Sequence, residues 1–143
     1  MSGMDVSKWE RVGGTSNADM YKIEEELLAI VPIATHPDTE GTARESIAFQ
    51  DRYWRSVGHR GAVVVCMDNV VSQDSGARAV YANETQNSLT TCYALVGETF
   101  FGYAVSTVFT GLARPGIPTQ VFPNLDAARE FIAKMNQERG GRV

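Results

Sequence analysis

The sequence predicts an α/β domain, bordering on α+β, in which helices pack against a small mixed sheet of about four to five strands. Two apolar runs rich in β-branched residues, at 61–67 and 90–96, show no alternation of polar and apolar side chains. Such runs are typical of strands covered on both faces. A helix-forming segment lies between them, and strands that alternate with helices imply parallel crossovers. We therefore expect the later strands of the sheet to be parallel.

Length, composition and charge fit one globular domain. The chain has 143 residues, of which 43% are hydrophobic and 21% are charged, and a chain of this size buries roughly two-thirds of its surface on folding. Thirteen lysines and arginines against 17 aspartates and glutamates give a net charge of −4. That balance excludes a basic surface over the whole chain, so no nucleic-acid partner is expected.

The composition divides the chain into three parts. Residues 1–18 are polar and read as a leader without the apolar core of a signal peptide. Residues 19–136 form the single predicted domain, and residues 137–143 a flexible tail. The longest apolar run, residues 27–34, is too short to cross a bilayer as a helix. We therefore expect no membrane span and a cytoplasmic location.

The domain is expected to begin with an antiparallel hairpin followed by a helix. Residues 20–23 and 27–33 read as strands, although the three glutamates between them leave a helix open as the rival interpretation. Thr42 and Glu45 fit a capping box, which predicts that a helix starts there. Gly58 is the expected end of that helix.

Three further helices and a short strand follow. Apolar stripes predict helices over residues 77–84 and 125–135, the second capped by Asn124. Residues 119–122 read as a short strand between two prolines. Residues 99–112 fit both a helical stripe and an alternating strand, and their length favours a helix.

Cysteine and histidine are too few for common metal and thiol chemistry. The chain has two cysteines, Cys66 and Cys92, and two histidines, His36 and His59. A structural zinc site would need all four, so we expect no metal and no cofactor. Cys66, His59 and Asp68 are residue types of a thiol enzyme, but a cysteine inside an apolar strand is inert. The sequence therefore favours a protein that is not an enzyme.

The most informative segment follows the strand at 61–67. Ligands of open α/β sheets gather beyond the carboxyl ends of strands, where Asp68 lies. Asp74, Ser75 and Gly76 stand at the start of the next predicted helix, where unpaired amides favour an anion. These four residues are the candidate phosphoacceptor or anion site. A plain helix cap is the alternative interpretation of the same residues.

These residues resemble a segment of a known protein family. The strand from Val63 to Asp68, followed by Asp74, Ser75 and Gly76, resembles the phosphorylation-loop segment of STAS domains, named for sulfate transporters and anti-sigma-factor antagonists. In the antagonist branch the serine beside the glycine accepts the phosphate, and the resemblance places that role on Ser75. This chain has one serine before the glycine where the family has two.

The second half of the chain is similar to a bacterial STAS-like branch that is related in fold to lipid-binding domains. The similar segments are 94–97, 114–118 and 121–132, and the resemblance as a whole covers roughly residues 20–135. It implies a non-enzymatic regulatory or protein-binding module whose partner is a kinase or a regulator.

The aromatic segment 99–112 leaves three alternatives open. A helix that is apolar nearly all round is either buried or meets a partner. Core packing, a homodimer surface and a lipid-like pocket are the three interpretations, and an apolar-ligand binding protein is therefore the alternative function. The residues of this candidate pocket or dimer surface are Phe101, Tyr103, Val105 and Phe109.

Overall fold

Six strands form one mixed sheet in the computed structural model of the protein. The structure describes residues 5–33, 36–70, 73–85, 87–106 and 117–143, with only the backbone of residues 103–106. The strands lie side by side in chain order. They are β1 (Glu10–Gly14), β2 (Ala18–Glu24), β3 (Leu27–Pro32), β4 (Gly61–Cys66), β5 (Thr90–Val96) and β6 (Thr119–Phe122).

The direction of the strands changes along the sheet. The first three strands pair in antiparallel fashion, and β3 to β6 are parallel. This arrangement confirms the predicted mixed sheet with parallel later strands. Because each parallel strand adds on the same side of its predecessor, right-handed crossovers bring the connecting helices to one face of the sheet.

In the described parts of the chain, four α-helices accompany the sheet: α1 (Glu40–Val57), α2 (Ser75–Asn83), α3 (Glu98–Ser106) and α4 (Leu125–Arg139). Side chains of α1 pack on one face of the sheet, which we call the α1–α2 face, and α2 packs against α1 there. The last helix, α4, follows the final strand and covers the opposite face, here called the α4 face. Short 3₁₀ helices occupy Val6–Lys8 and Met67–Asn69.

Regular secondary structure lies within both terminal segments of the predicted division. Strand β1 lies within the predicted polar leader 1–18 and extends the sheet beside β2. Helix α4 ends at Arg139, so its last turn extends into the predicted tail 137–143. Arg142, also in that tail, forms a β-bridge with His59. No helix in the described parts of the chain has the length and apolarity to cross a membrane.

The start of α1 differs from the predicted one by three residues. Thr39 is the N-cap, and its side chain and that of Thr42 exchange hydrogen bonds with each other's backbone amides. Glu45, the predicted partner in the capping box, instead accepts hydrogen bonds from the backbone and hydroxyl of Ser16. Gly58 ends the helix in the left-handed conformation, as predicted.

Candidate functional site

The carboxyl ends of the parallel strands open onto a cavity between the sheet and the helices α1 and α2. Its volume is about 90 Å³. Apolar side chains of β3, β4 and β5 form its floor. Polar side chains of α2 and of the segments just before α1 and α2 form its wall. The floor includes Ile30, Val65 and Leu95, and the wall includes Asp38, Gln73, Arg78 and Tyr81.

Asp38 is the centre of the polar wall. Its Oδ1 accepts hydrogen bonds from the Thr42 hydroxyl at 2.6 Å and from the Asn17 amide at 3.4 Å. Its Oδ2 accepts from the Gln73 amide and from the Tyr81 hydroxyl, both at 3.1 Å. A carboxylate offers about four acceptor positions, so the acceptor capacity of Asp38 is filled. The carboxylate thereby ties the start of α1 to the turn between β1 and β2 and to α2.

Tyr81 is a hydrogen-bond donor in this arrangement. Burial, and then the negative charge of Asp38, raises the pKa of Tyr81 well above its ordinary value. The phenol therefore stays protonated at neutral pH and donates to Asp38. Its ring packs edge-on against Tyr93, with ring centroids 6.4 Å apart.

A buried hydrogen-bond network continues from the wall of the cavity toward the sheet. The Gln50 side chain is fully buried, and its Oε1 accepts from the Tyr93 hydroxyl at 2.8 Å and from the Thr90 hydroxyl at 2.9 Å. Its amide donates to Ser46 at 3.1 Å, and Trp54 Nε1 donates to Thr90 Oγ1 at 3.1 Å. Every described buried side-chain polar atom has a hydrogen-bond partner.

The start of α2 brings three of the predicted site residues together. Asp74 is the N-cap and accepts a hydrogen bond from the Ala77 amide at 2.8 Å. Ser75 is the first helical residue and is exposed. A Cβ on Gly76 would lie 3.2 Å from the Cβ of Glu40, which shows how closely the starts of α1 and α2 approach.

Asp68, the fourth predicted residue, caps a different helix. Its Oδ1 accepts a hydrogen bond from the Phe100 amide at 2.8 Å, and its Oδ2 accepts from the Thr99 amide at 3.3 Å. Both amides belong to the first turn of α3. Gly97 directly precedes α3, and a Cβ on this glycine would lie only 2.6 Å from Asp68 Oδ1. Asp68 and Asp74 therefore stabilise the starts of α3 and α2 respectively.

A protein-family model described as a domain of unknown function (DUF7793) matches residues 21–136. The matched range includes Asp38, Ser75 and all four α-helices except the last residues of α4. The chain belongs to the DUF7793 family. No curated protein and no solved structure matches it.

The residues considered for thiol chemistry are separated in this DUF7793 domain. His59 precedes β4 and Cys66 ends it, so the two lie at opposite ends of one strand. Burial, and then the charge of Asp68, raises the pKa of Cys66 to about 12. The thiol is therefore protonated at neutral pH. Within the described ranges, no group of three His, Cys, Asp or Glu residues could hold a metal ion.

The candidate apolar pocket or dimer surface falls largely outside the described side chains. Phe101 is half-buried on α3. Tyr103 and Val105 belong to α3, but only their backbone is described, and Phe109 lies outside the described residues. The predicted role of this segment stays a prediction.

Sequence reasoning missed the polar wall of the cavity. Asp38, Gln73 and Tyr81 meet across separations of 35 and 43 residues. The loop composition of residues 36–38 and the position of Tyr81 on an apolar helix face were visible signals. Neither signal indicates the partner, because the pairing depends on how α2 packs against α1.

Proposed function

We propose that this protein is a non-enzymatic regulatory module of the STAS-like type, which binds a protein partner and is switched by phosphorylation of Ser75. The kinase would transfer the γ-phosphoryl group of ATP to the Ser75 oxygen, with release of ADP and the hydroxyl proton. The surface at the start of α2 is the proposed docking surface. The exposure of Ser75 at the first position of this helix carries the proposal.

The position of Ser75 favours a modification there. An exposed hydroxyl is accessible to a kinase, and a phosphate at the start of a helix is stabilised by the helix dipole and by unpaired amides. The same position resembles the phosphoacceptor of the antagonist branch, and the mixed sheet agrees with the fold that this resemblance implies.

A phosphate on Ser75 would act on more than its own helix. It would bring nearly two negative charges to the place where Gly76 approaches Glu40 of α1. The backbone amide of Asp74 donates to the Asp38 carbonyl at 3.1 Å, so the loop before α1 is tied to this turn. Repulsion between the phosphate and Glu40 would therefore change both the charge and the local shape of the docking surface.

Phosphorylation assays on the purified full chain test the proposal. The protein is incubated with ATP and the soluble kinases of its native host, and the modified peptide is identified by mass spectrometry. We expect phosphate on Ser75 and no label in Ser75→Ala. Ser56→Ala is the matched control. Ser56 is also an exposed serine in a helix, but it lies near the C-terminal end of α1. Label that persists in Ser75→Ala contradicts the proposal.

Partner binding provides the second test. Ser75→Ala and Ser75→Asp are used as paired baits, and proteins that distinguish them are identified and then purified for direct titration. We expect one partner whose affinity differs between the two variants by about tenfold or more, which corresponds to a modest coupling energy. Equal affinity for both variants would remove the switch.

The apolar-ligand alternative concerns a different part of the molecule. Its pocket would lie under the 99–112 segment, whose side chains are described only in part. The cavity on the α1–α2 face is about 90 Å³, far below the roughly 300–1,000 Å³ of pockets for drug-sized ligands. That cavity therefore favours a small ligand over a lipid.

A further inference from the structure

We infer that the cavity on the α1–α2 face binds a small organic carboxylate, whose charged group is held by Arg78 and whose apolar body lies on the floor of the sheet. The site is separate from the hydroxyl of Ser75. The inference rests on which hydrogen-bonding groups of the wall are already used, on the surroundings of Arg78 and on the size of the cavity.

Two acceptor side chains that line the cavity, Asp38 and Gln50, are already occupied. Asp38 accepts four hydrogen bonds within the protein. Gln50 Oε1 accepts from two hydroxyls, those of Tyr93 and Thr90. A carbonyl oxygen has two lone pairs, so this acceptor is filled as well. A ligand that needs to donate hydrogen bonds therefore finds little on these two side chains.

Arg78 has N–H donors that no described acceptor uses. Its guanidinium has five N–H groups, and its described hydrogen bond uses one of them, to the Gln73 carbonyl at 2.8 Å. No described carboxylate forms an ion pair with it, although its side chain is half-buried and lines the cavity. Arg44 on the neighbouring helix shows the contrast, because it pairs with both Glu40 and Glu84.

The guanidinium therefore selects for an acceptor ligand. The planar fork of an arginine matches the two oxygens of a carboxylate. Asp38 is the acidic side chain among the described lining residues, and its charge is directed to four donors of the protein. Arg78 is the one arginine or lysine among the described lining residues, so it is the group that we infer a ligand carboxylate would meet.

The volume of the cavity and its apolar floor indicate the size and character of the ligand body that would accompany the carboxylate. The volume of about 90 Å³ favours a small ligand. The floor offers the aliphatic side chains of Ile30, Val65 and Leu95, which favour an apolar body. A short branched or a simple aromatic carboxylate satisfies both requirements, and isovalerate and benzoate are representative probes.

Nuclear magnetic resonance titration of the ¹⁵N-labelled full chain tests the inference. Isovalerate and benzoate are compared with isovaleramide and benzamide, which keep the shape and remove the charge. We expect saturable shifts of amides around Arg78 and Val65 with the carboxylates, and about tenfold to a hundredfold weaker binding of the amides, the effect of losing a hydrogen bond between charged groups. Equal binding of acids and amides, or shifts that do not saturate, would overturn it.

Variants identify the binding group. Arg78→Gln should weaken carboxylate binding by the same factor and leave amide binding unchanged. Arg44→Gln is the matched control, because Arg44 lies on the surface of the adjacent helix, and it should bind as the parent does. Val65→Phe fills the cavity and should abolish binding, and its spectrum shows whether the fold is retained. Unchanged binding in Arg78→Gln, or in a folded Val65→Phe, would contradict the site.

This test and that of Ser75 have separate outcomes. Ser75→Ala retains the cavity and Arg78, so it should bind the carboxylates with unchanged affinity. If Ser75 is never phosphorylated but the carboxylates bind, the proposed switch fails and the cavity site stands. If phosphate is found on Ser75 and no carboxylate binds, the cavity inference fails alone.

Discussion

The two faces of the sheet are covered in different ways. On the α4 face, Leu125, Ile132 and Met135 of one amphipathic helix pack against small and β-branched strand residues such as Val64 and Ala94. On the α1–α2 face, the apolar cluster around Trp54 is accompanied by a buried hydrogen-bond network and by the cavity. The α4 face is mainly apolar, and the Thr91 hydroxyl donates to Asn136 Oδ1 there at 2.7 Å. The α1–α2 face encloses a connected network of several buried polar side chains.

This difference predicts that substitutions on the two faces act on stability in different ways. Apolar packing stabilises a fold without needing a particular partner for each atom. A buried polar network fixes a unique arrangement, and it is costly wherever one member is lost. We therefore place the proposed ligand binding and the proposed switch on the α1–α2 face, whereas apolar packing dominates the α4 face. Substitutions on the two faces should show different energetic signatures.

The largest effect is expected from truncation on the α4 face. Leu125 is 2% exposed, and Leu125→Ala should lower the free energy of unfolding by about 3–5 kcal/mol, because a cavity remains in a closely packed region. Urea denaturation followed by circular dichroism measures this change. Val57→Ala is the control, since Val57 is 40% exposed, and it should cost less than about 0.5 kcal/mol. A cost below about 1 kcal/mol for Leu125→Ala would show that the α4 face is loosely packed.

A smaller effect of a different kind is expected on the α1–α2 face. Gln50→Leu keeps the size of the side chain but leaves the hydroxyls of Tyr93 and Thr90 without their acceptor. Buried groups that lose a partner cost about 1–3 kcal/mol each, and the added apolar contact offsets part of this. We expect a loss of about 2–3 kcal/mol in the free energy of unfolding, measured in the same urea experiment.

A double-mutant cycle distinguishes this cost from a change in packing. Tyr93→Phe removes the donor that Gln50→Leu leaves unsatisfied, so the double variant should be less destabilised than the sum of the single variants. Gln137→Leu provides the control, because Gln137 is exposed on α4 and should change stability by less than about 0.5 kcal/mol. Strict additivity in the cycle would mean that the network adds no specific stabilisation.

The difference between apolar packing and specific pairing also explains which elements could be predicted from the sequence. The strand at Thr90–Val96 and the helix from Leu125 were predicted correctly at their starts, because apolar runs and stripes report burial directly. The sequence analysis missed strand β1, because Glu10–Gly14 contains two glycines and few of the β-branched or aromatic residues that favour strands. It is held by backbone pairing to β2, and a Cβ on Gly13 would lie only 2.6 Å from the Phe49 ring.

The site was less predictable than the fold for a physical reason. Asp74, Ser75 and Gly76 are neighbours in sequence, so local pattern was sufficient to place them at the start of α2. The contact of Asp38 with Tyr81 requires that α1 and α2 already lie side by side. No periodicity in a single sequence encodes such a pairing, because each residue alone is compatible with a surface position.

The smallest effect is expected at the edge of the α1–α2 face, where Glu45 of α1 meets the turn between β1 and β2. The backbone N–H of Ser16, and then its hydroxyl, holds the pKa of Glu45 below its ordinary value of 4.5. A carboxylate with a lowered pKa in the folded state stabilises it above the ordinary pKa, and this contribution is lost as the pH falls through the folded value. Glu45→Gln should therefore lower stability at pH 7, by less than Gln50→Leu does.

The pH dependence makes this last prediction specific. The difference in stability between the parent and Glu45→Gln should stay constant from pH 7 toward pH 5 and then close as the pH falls below 4.5, because the protonated Glu45 resembles glutamine. Thermal unfolding in a series of buffers measures it, with Glu138→Gln as the control for removing an exposed glutamate. A difference that is independent of pH would assign the effect to shape. The β1–β2 turn would then be held to α1 by packing alone, and the contrast between the two faces would not extend to this edge.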